Sequence, residues 1–293
     1  MSVITVFQAI VITIIGLAAS IIGSLSGGGG GNLVVPAIVS LVNVKPSVLV
    51  GSVFFMYLVS SITGLFAYNR KGLVDYRSGI TLSLPCIPGV VLGTFLENAI
   101  SDFEFKAGLG ALTATLAIIM YVQERRSKSI VVARVTTDQP AATPEDMKNS
   151  PRNRYGDHTQ KVLKDKSGRI FSYSPNITLG LLINFFAGLL AGTFGAGAGV
   201  IIIPTTILVV RLPSHVAVAT TRIVLLVLDL AALATHIGIG AFDVAIAILL
   251  SIGSVIGSIL GAHIAFKISP GLLTYIVAIV FGAIGLYLIL TSF

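Results

Sequence analysis

Residues 26–39, SGGGGGNLVVPAIV, are written a second time 168 positions later as FGAGAGVIIIPTTI, residues 194–207. Gly27, Gly29, Gly31 and Pro36 fall on Gly195, Gly197, Gly199 and Pro204. The same offset carries Gly72, Asp75, Gly89 and Gly93 onto Gly240, Asp243, Gly257 and Gly261. A chance glycine run does not keep register over that distance, so the chain reads as a duplicated unit. Whatever the first half folds into, the second half must also be able to form. Because each copy sets glycines and a proline inside apolar sequence, that fold must contain an apolar segment broken in its interior.

The 293 residues are 55% hydrophobic and 11% charged, more apolar side chain than a water-soluble core of this length can enclose. The chain is therefore expected to be an all-α polytopic membrane protein. Apolar runs near 5–25, 48–67, 77–96, 106–122, 177–193, 216–235, 244–264 and 271–291 each approach the roughly 20 residues a membrane helix needs. Two shorter runs, 33–44 and 201–210, follow the glycines directly and reach only part way across, as half-helices do. The first span has no basic n-region and no small-residue cleavage site, so it reads as a retained helix. The lone Cys86 excludes an internal disulfide; it lies in a Pro85-Cys86-Ile87-Pro88 break and reads as an inert buried thiol.

The net charge of +7 is uneven: residues 123–170 hold eleven Lys and Arg against six Asp and Glu, +5 of the total. The sequence thus divides into a first membrane repeat (1–122), a basic hydrophilic linker (123–172) and a second membrane repeat (173–293). The linker has no sustained apolar periodicity and is expected to be a flexible cytoplasmic connector rather than a nucleic-acid-binding segment. Placing it in the cytoplasm puts Arg70, Lys71 and Arg77 inside. With the second half inverted, Arg211 and Lys267 also fall inside and the uncharged turn at 236–243 outside. Inversion fits the positive-inside rule better than a parallel eight-helix arrangement, which is the alternative. It requires each half-helix to count as a return passage, and it turns both termini outward.

Broken helices in duplicated membrane halves mark secondary transporters, with the break at the substrate site. Backbone amides freed in a glycine loop are tolerated in a bilayer only where protein or water satisfies them. They are anion ligands, aided by the dipole of the half-helix that follows. Gly27, Gly28, Gly29, Gly30, Gly31 and Asn32 of the first loop, with Gly195, Gly197 and Gly199 of the second, are therefore expected to bind substrate. Close helix packing is the simpler role for such glycines. Arg222 lies inside the apolar stretch VAVATTRIVLLVLDLAALAT, where an arginine is costly and either pairs with a carboxylate or lines a substrate path. Asp229, two helical turns on, shares its face and is a candidate partner or proton carrier. Ser52, Thr220 and Thr221 are candidate hydroxyl ligands. His236, counterpart of Tyr68, reads as a solvated helix end, with proton relay as the second possibility. Asn184 is expected to make an interhelical hydrogen bond, and Asp75 and Asp243 to cap turns.

The scattered histidines and single cysteine offer no metal-binding spacing, and no P-loop is present, so neither a metal, another cofactor nor an intrinsic ATPase is expected. At these residues the sequence resembles the sulfite exporter TauE/SafE family, also called the toluene sulfonate uptake permease family. The resemblance rests on the duplicated glycine-loop and proline pattern, on Pro46-Ser47 and Pro213-Ser214, on Gly51-Ser52 and Ala219-Thr220-Thr221, and on Gly72-x-x-Asp75 and Gly240-x-x-Asp243. The Pro88-Gly89-x-x-x-Gly93 and Ile256-Gly257-x-x-x-Gly261 helices belong to it as well. It implies a multi-pass plasma-membrane permease, not an enzyme, for sulfite, sulfonates or another small sulfur-containing or organic anion. The expected mechanism is alternating access around the paired glycine loops, with a proton as possible coupling ion. An anion channel, and a membrane protein without transport activity, are the competing readings.

Overall fold

The structure is a computed structural model that describes residues 6–26, 34–41, 45–70, 72–115, 117–118, 161–164, 170–173, 175–195, 197–265 and a few positions between 279 and 290. Helices α1 (Val6–Ser26), α3 (Pro46–Arg70), α7 (Ile177–Phe194), α9 (Ser214–Gly238) and α10 (Val244–Ala265) realise the long apolar runs. At about 1.5 Å per residue each spans most or all of a roughly 30 Å hydrocarbon layer. Pro46 opens α3 at the position where a missing N–H costs nothing. The run at 77–96 forms two helices, α4 (Tyr76–Ser83) and α5 (Cys86–Ala99). Pro85 and Pro88 lack donors there, and the ladder resumes through Ile87 and Gly89 amides on Leu84 and Pro85 carbonyls, each at 3.3 Å. A further helix, α6, covers 102–115. Ser101 and Glu104 start it with a reciprocal capping box, the Ser101 amide donating to Glu104 at 2.8 Å and the Glu104 amide to Ser101 Oγ at 3.3 Å. The short helices α2 (Val34–Leu41) and α8 (Gly199–Leu208) stand where half-helices were expected.

One expectation for the linker is corrected. Lys161–Lys164 (β1) and Ile170–Tyr173 (β2) pair antiparallel, Lys161 opposite Tyr173, so this end of the connector is a hairpin rather than structureless chain. Two runs as short as Lys-Val-Leu-Lys and Ile-Phe-Ser-Tyr complete a ladder without giving a sustained periodicity. It is the departure from an all-α chain among the described residues.

The most extensive helix contacts are α1 with α10 and α5 with α7. Both pairs run parallel: Thr13 and Leu17 meet Gly253 and Gly257, while Cys86 and Val90 meet Gly188 and Gly192. These contacts are backbone to backbone. A Cβ on Gly257 would overlap the Leu17 carbonyl, and one on Gly89 would overlap that of Phe185. Such close approach is how helices associate where the surroundings are as apolar as the side chains. Helices α3 and α9 run antiparallel through the centre: Phe54 meets His236, Ser61 meets Asp229 and Tyr68 meets Arg222. The outer faces carry exposed Phe7, Ile10 and Ile14 of α1, Leu182 and Phe186 of α7, and Ile252 and Ile259 of α10, surface suited to lipid and not to water. Asn184 makes the interhelical bond that its place in an apolar helix suggested, its amide donating to the Leu82 carbonyl at 3.0 Å beside the α4–α5 break.

Candidate functional site

The α3–α9 crossing gathers a set of buried polar groups, Ser61, Arg222, Asp229 and His236 among them. Ser61 Oγ donates to Asp229 Oδ2 at 2.6 Å, near the middle of both helices, with Asp229 only 2% exposed. Arg222, 8% exposed, lies two turns before Asp229 on α9 and within its electrostatic reach. Tyr68 of α3 shares a hydrogen bond with Arg222, whose guanidinium carbon stands 6.0 Å from the ring centre. Gly64 makes room for this side chain: a Cβ there would come within 3.1 Å of Arg222 Cδ and Nε. The arginine is therefore held along α3 inside the protein.

The second glycine loop meets this cluster. Gly195, at φ +60°, ends α7 in the left-handed region, its amide donating to Ala191 at 2.7 Å. Tyr57 of α3 donates its hydroxyl to the Gly195 carbonyl at 2.9 Å and is itself within electrostatic reach of Asp229. Gly197 is also left-handed, at φ +60°, and Gly199 opens α8. Helix α8 runs back against α9, bringing Thr206 Oγ1 to 3.5 Å from Thr221 Oγ1. Continuing that antiparallel register carries the first turn of α8 towards the level of Asp229. In α8 the Ile201 and Ile202 amides donate to the Ala198 carbonyl at 3.0 and 2.9 Å, so only the Gly199 and Val200 positions precede the helical ladder.

Ser52 and Thr220 occupy matching places elsewhere. Ser52 Oγ lies 3.0 Å from the Asp243 amide, and Thr220 Oγ1 accepts from the Asp75 amide at 3.1 Å. Each hydroxyl thus ties a turn from the other half of the chain onto a central helix. Asp75 and Asp243 are the caps that the sequence suggested, accepting from Ser78, and from Ala245 and Ile246. Gly27 to Gly31 and Asn32 lie outside the described residues.

The reading of His236 as a solvated helix end is corrected. It is fully buried, with Nε2 3.1 Å from Glu97 Oε2 and Nδ1 2.8 Å from the Ala232 carbonyl oxygen. The turn after α9 folds back over it, the Ala241 amide donating to the His236 carbonyl at 2.8 Å. Glu97 was missed because a carboxylate two residues before the end of α5 looks solvated in sequence. Tyr57, Ser61 and Tyr68 were missed as site residues because they carry no charge. Ser61 had a signal all the same: it is the residue 168 positions before Asp229. Among the described residues no group of His, Cys, Asp and Glu is arranged to hold a metal ion.

Long apolar helices around a buried charged crossing and a glycine-broken helix define a multi-pass membrane protein of the transporter class. The family described as "Sulfite exporter TauE/SafE" matches residues 12–288. The chain belongs to that family of membrane transporters. It is 25% identical over 287 residues to the probable membrane transporter protein YunE of Bacillus subtilis, covering 96% of this chain and 97% of that one. It is also 25% identical over 291 residues to a probable membrane transporter protein of Methanocaldococcus jannaschii, covering 94% of each. A probable membrane transporter protein of Xylella fastidiosa is likewise 25% identical, over 293 residues and 97% of both chains. No solved structure matches the chain significantly.

Proposed function

We propose that this transporter moves a small anion, sulfite or an organosulfonate, by alternating access, with two inverted repeats meeting at the α3–α9 crossing. The observation that carries the anion is Arg222, a guanidinium buried in the α3–α9 crossing against Gly64 and Tyr68 of α3. Arginine in that setting offers a planar fork of donors to an oxyanion. Thr221, on the same part of α9, adds a hydroxyl. Ser52 and Thr220, already engaged by turn amides, serve instead to hold the two halves together.

Charge balance supports a coupled proton. Where Asp229 is ionised it offsets the charge of Arg222, and an entering anion then brings an uncompensated negative charge into the membrane interior, which is costly. A proton taken up on Asp229 restores neutrality, making cotransport of anion and proton the economical cycle. Support for inversion comes from the pairing at the centre. With an offset of 168, Ser61 and Asp229 are equivalent positions in contact with each other, and the Phe54–His236 contact maps onto Tyr68–Arg222 with partners exchanged. Equivalent helices related in this way must run antiparallel, whereas parallel repeats would bring α3 and α9 together in the same direction.

Uptake of radiolabelled sulfite into proteoliposomes, with and without an imposed proton gradient and in competition with sulfate and an arylsulfonate, tests the proposal. Saturable, gradient-sensitive sulfite flux, reduced at least about tenfold by Arg222→Ala, is expected. Flux that neither saturates nor supports exchange of trapped label would make the protein a channel, and unchanged flux in Arg222→Ala would leave the arginine a structural role only.

A further inference from the structure

The His236–Glu97 contact lies outside the Arg222–Asp229 cluster, at the C-terminal ends of α9 and α5, and its hydrogen-bond pattern fixes a proton count. The Ala232 carbonyl can only accept, so Nδ1 must carry the hydrogen that joins them at 2.8 Å. Nε2 then faces Oε2 at 3.1 Å with two arrangements open to it. Either an imidazolium Nε2–H donates to the carboxylate, or a protonated Glu97 donates to a bare Nε2. Both place one proton between the two atoms. With no proton there, two lone pairs would confront one another at full burial, where water cannot screen them. Among the described residues Glu97 Oε1 is buried without a hydrogen-bond partner, so His236 is the side chain that holds the carboxylate.

We propose that His236 and Glu97 form a proton-binding latch between α9 and α5, shut while one proton lies between Nε2 and Oε2 and released when it leaves. The latch closes one end of the molecule. His236 packs on the Phe54 ring at 5.5 Å, its Cβ abuts the site of Gly51, and its carbonyl anchors Ala241 in the turn that Ser52 also holds. At the equivalent opposite end the His236 position is Tyr68 and the Glu97 position is Ala265, so no carboxylate stands there to share a proton. Other ionisable groups on the helices packed against α5 and α9 are Tyr57, Tyr68 and Arg70 of α3 and Tyr76 and Arg77 of α4, while α7 and α8 carry none; α5 itself carries the buried Cys86 near its start, and the covering turn carries Asp243, whose carboxylate accepts from the Ala245 and Ile246 amides of α10. Tyr57 donates to Gly195, the α3 and α4 groups Tyr68, Arg70, Tyr76 and Arg77 lie towards the Arg222 end, and Asp229 lies at mid-helix. The role of the latch in transport rests on the alternating-access reading; its existence as a proton site does not.

Thiol accessibility in lipid nanodiscs tests it on the full-length protein. Ala241→Cys places a reporter under the latch, and Leu73→Cys a reporter at the equivalent buried turn of the opposite end. Maleimide labelling is measured at about pH 6 and about pH 9, above the background of the buried Cys86, and divided by the rate for the unfolded protein at the same pH to remove thiol ionisation. The Ala241→Cys rate should rise on the order of tenfold at the higher pH and the Leu73→Cys rate should not. Glu97→Gln, whose amide can donate to Nε2 without an ionisable proton, should hold the rate low at both values. Glu97→Ala should raise it at both. A normalised rate that ignores pH, a pH response that persists in Glu97→Gln, or an equal response at Leu73→Cys would overturn the latch. If Glu97→Ala does not fold, Glu97→Gln still decides. Sulfite flux on the same preparations separates the two claims: a pH-gated reporter without flux removes the substrate assignment alone, and flux with a pH-insensitive reporter removes the latch alone.

Discussion

Asp229 depends on Ser61 for a 2.6 Å hydrogen bond at the centre of the protein, and this dependence can be measured. Removing one partner from a buried hydrogen bond leaves the other with its desolvation uncompensated, about 1–3 kcal/mol, and more when it is ionised. Ser61→Ala should therefore lower the thermal unfolding midpoint in detergent, and adding Asp229→Asn should recover part of the loss, because an amide needs the donor less than a carboxylate does. Equal and additive losses in the two single variants and the double would show that the bond contributes nothing. The charged half of this cluster was legible in the sequence because Arg222 and Asp229 interrupt an apolar helix at a spacing that shares a face. The uncharged half was not. A serine and two tyrosines in membrane helices look like ordinary packing until the partner helix is known, and Glu97 sits where a helix end meets solvent in most proteins.

Among the elements, the parallel pairs α1–α10 and α5–α7 depend on glycine. A Cβ at Gly257 or Gly89 would overlap a carbonyl oxygen of the facing helix, which cannot move aside as a flexible side chain can. Leucine at either position should force the pair apart, with a large drop in folded yield and an earlier elution of the purified protein on gel filtration. Gly238→Ala is the control, since a Cβ there would meet nothing within 4 Å. If Gly257→Leu and Gly238→Ala behaved alike, the close approach of α1 and α10 would be incorrect. Length and composition alone marked these helices, the break at Pro85 and the two half-helices. The hairpin in the linker escaped notice because four-residue strands of mixed polarity carry too little pattern. Seeing which helices pair across the halves required the fold, although Gly89 and Gly257 stood at equivalent positions in the sequence.

For the molecule as a whole, the helix pairing changes which parts can move as bodies. Each sequence half sends an arm into the other: α1 of the first packs along α10 of the second, and α5 of the first along α7 of the second. Two halves interlocked in this way cannot rock apart as the sequence divides them without breaking both glycine contacts. The bodies that alternate should instead be the mixed pairs, α1 with α10 and α5 with α7, moving about the central α3–α9 crossing. Ser20 and Ser254 give a direct test, because their hydroxyls lie 2.7 Å apart across the α1–α10 contact. Cysteines at both places are close enough to form a disulfide. Oxidised Ser20→Cys, Ser254→Cys protein should retain saturable anion uptake, since the bond joins helices that travel together. Loss of uptake on oxidation, restored by reduction, would mean that α1 and α10 slide past one another during the cycle and that the sequence halves are the moving bodies after all.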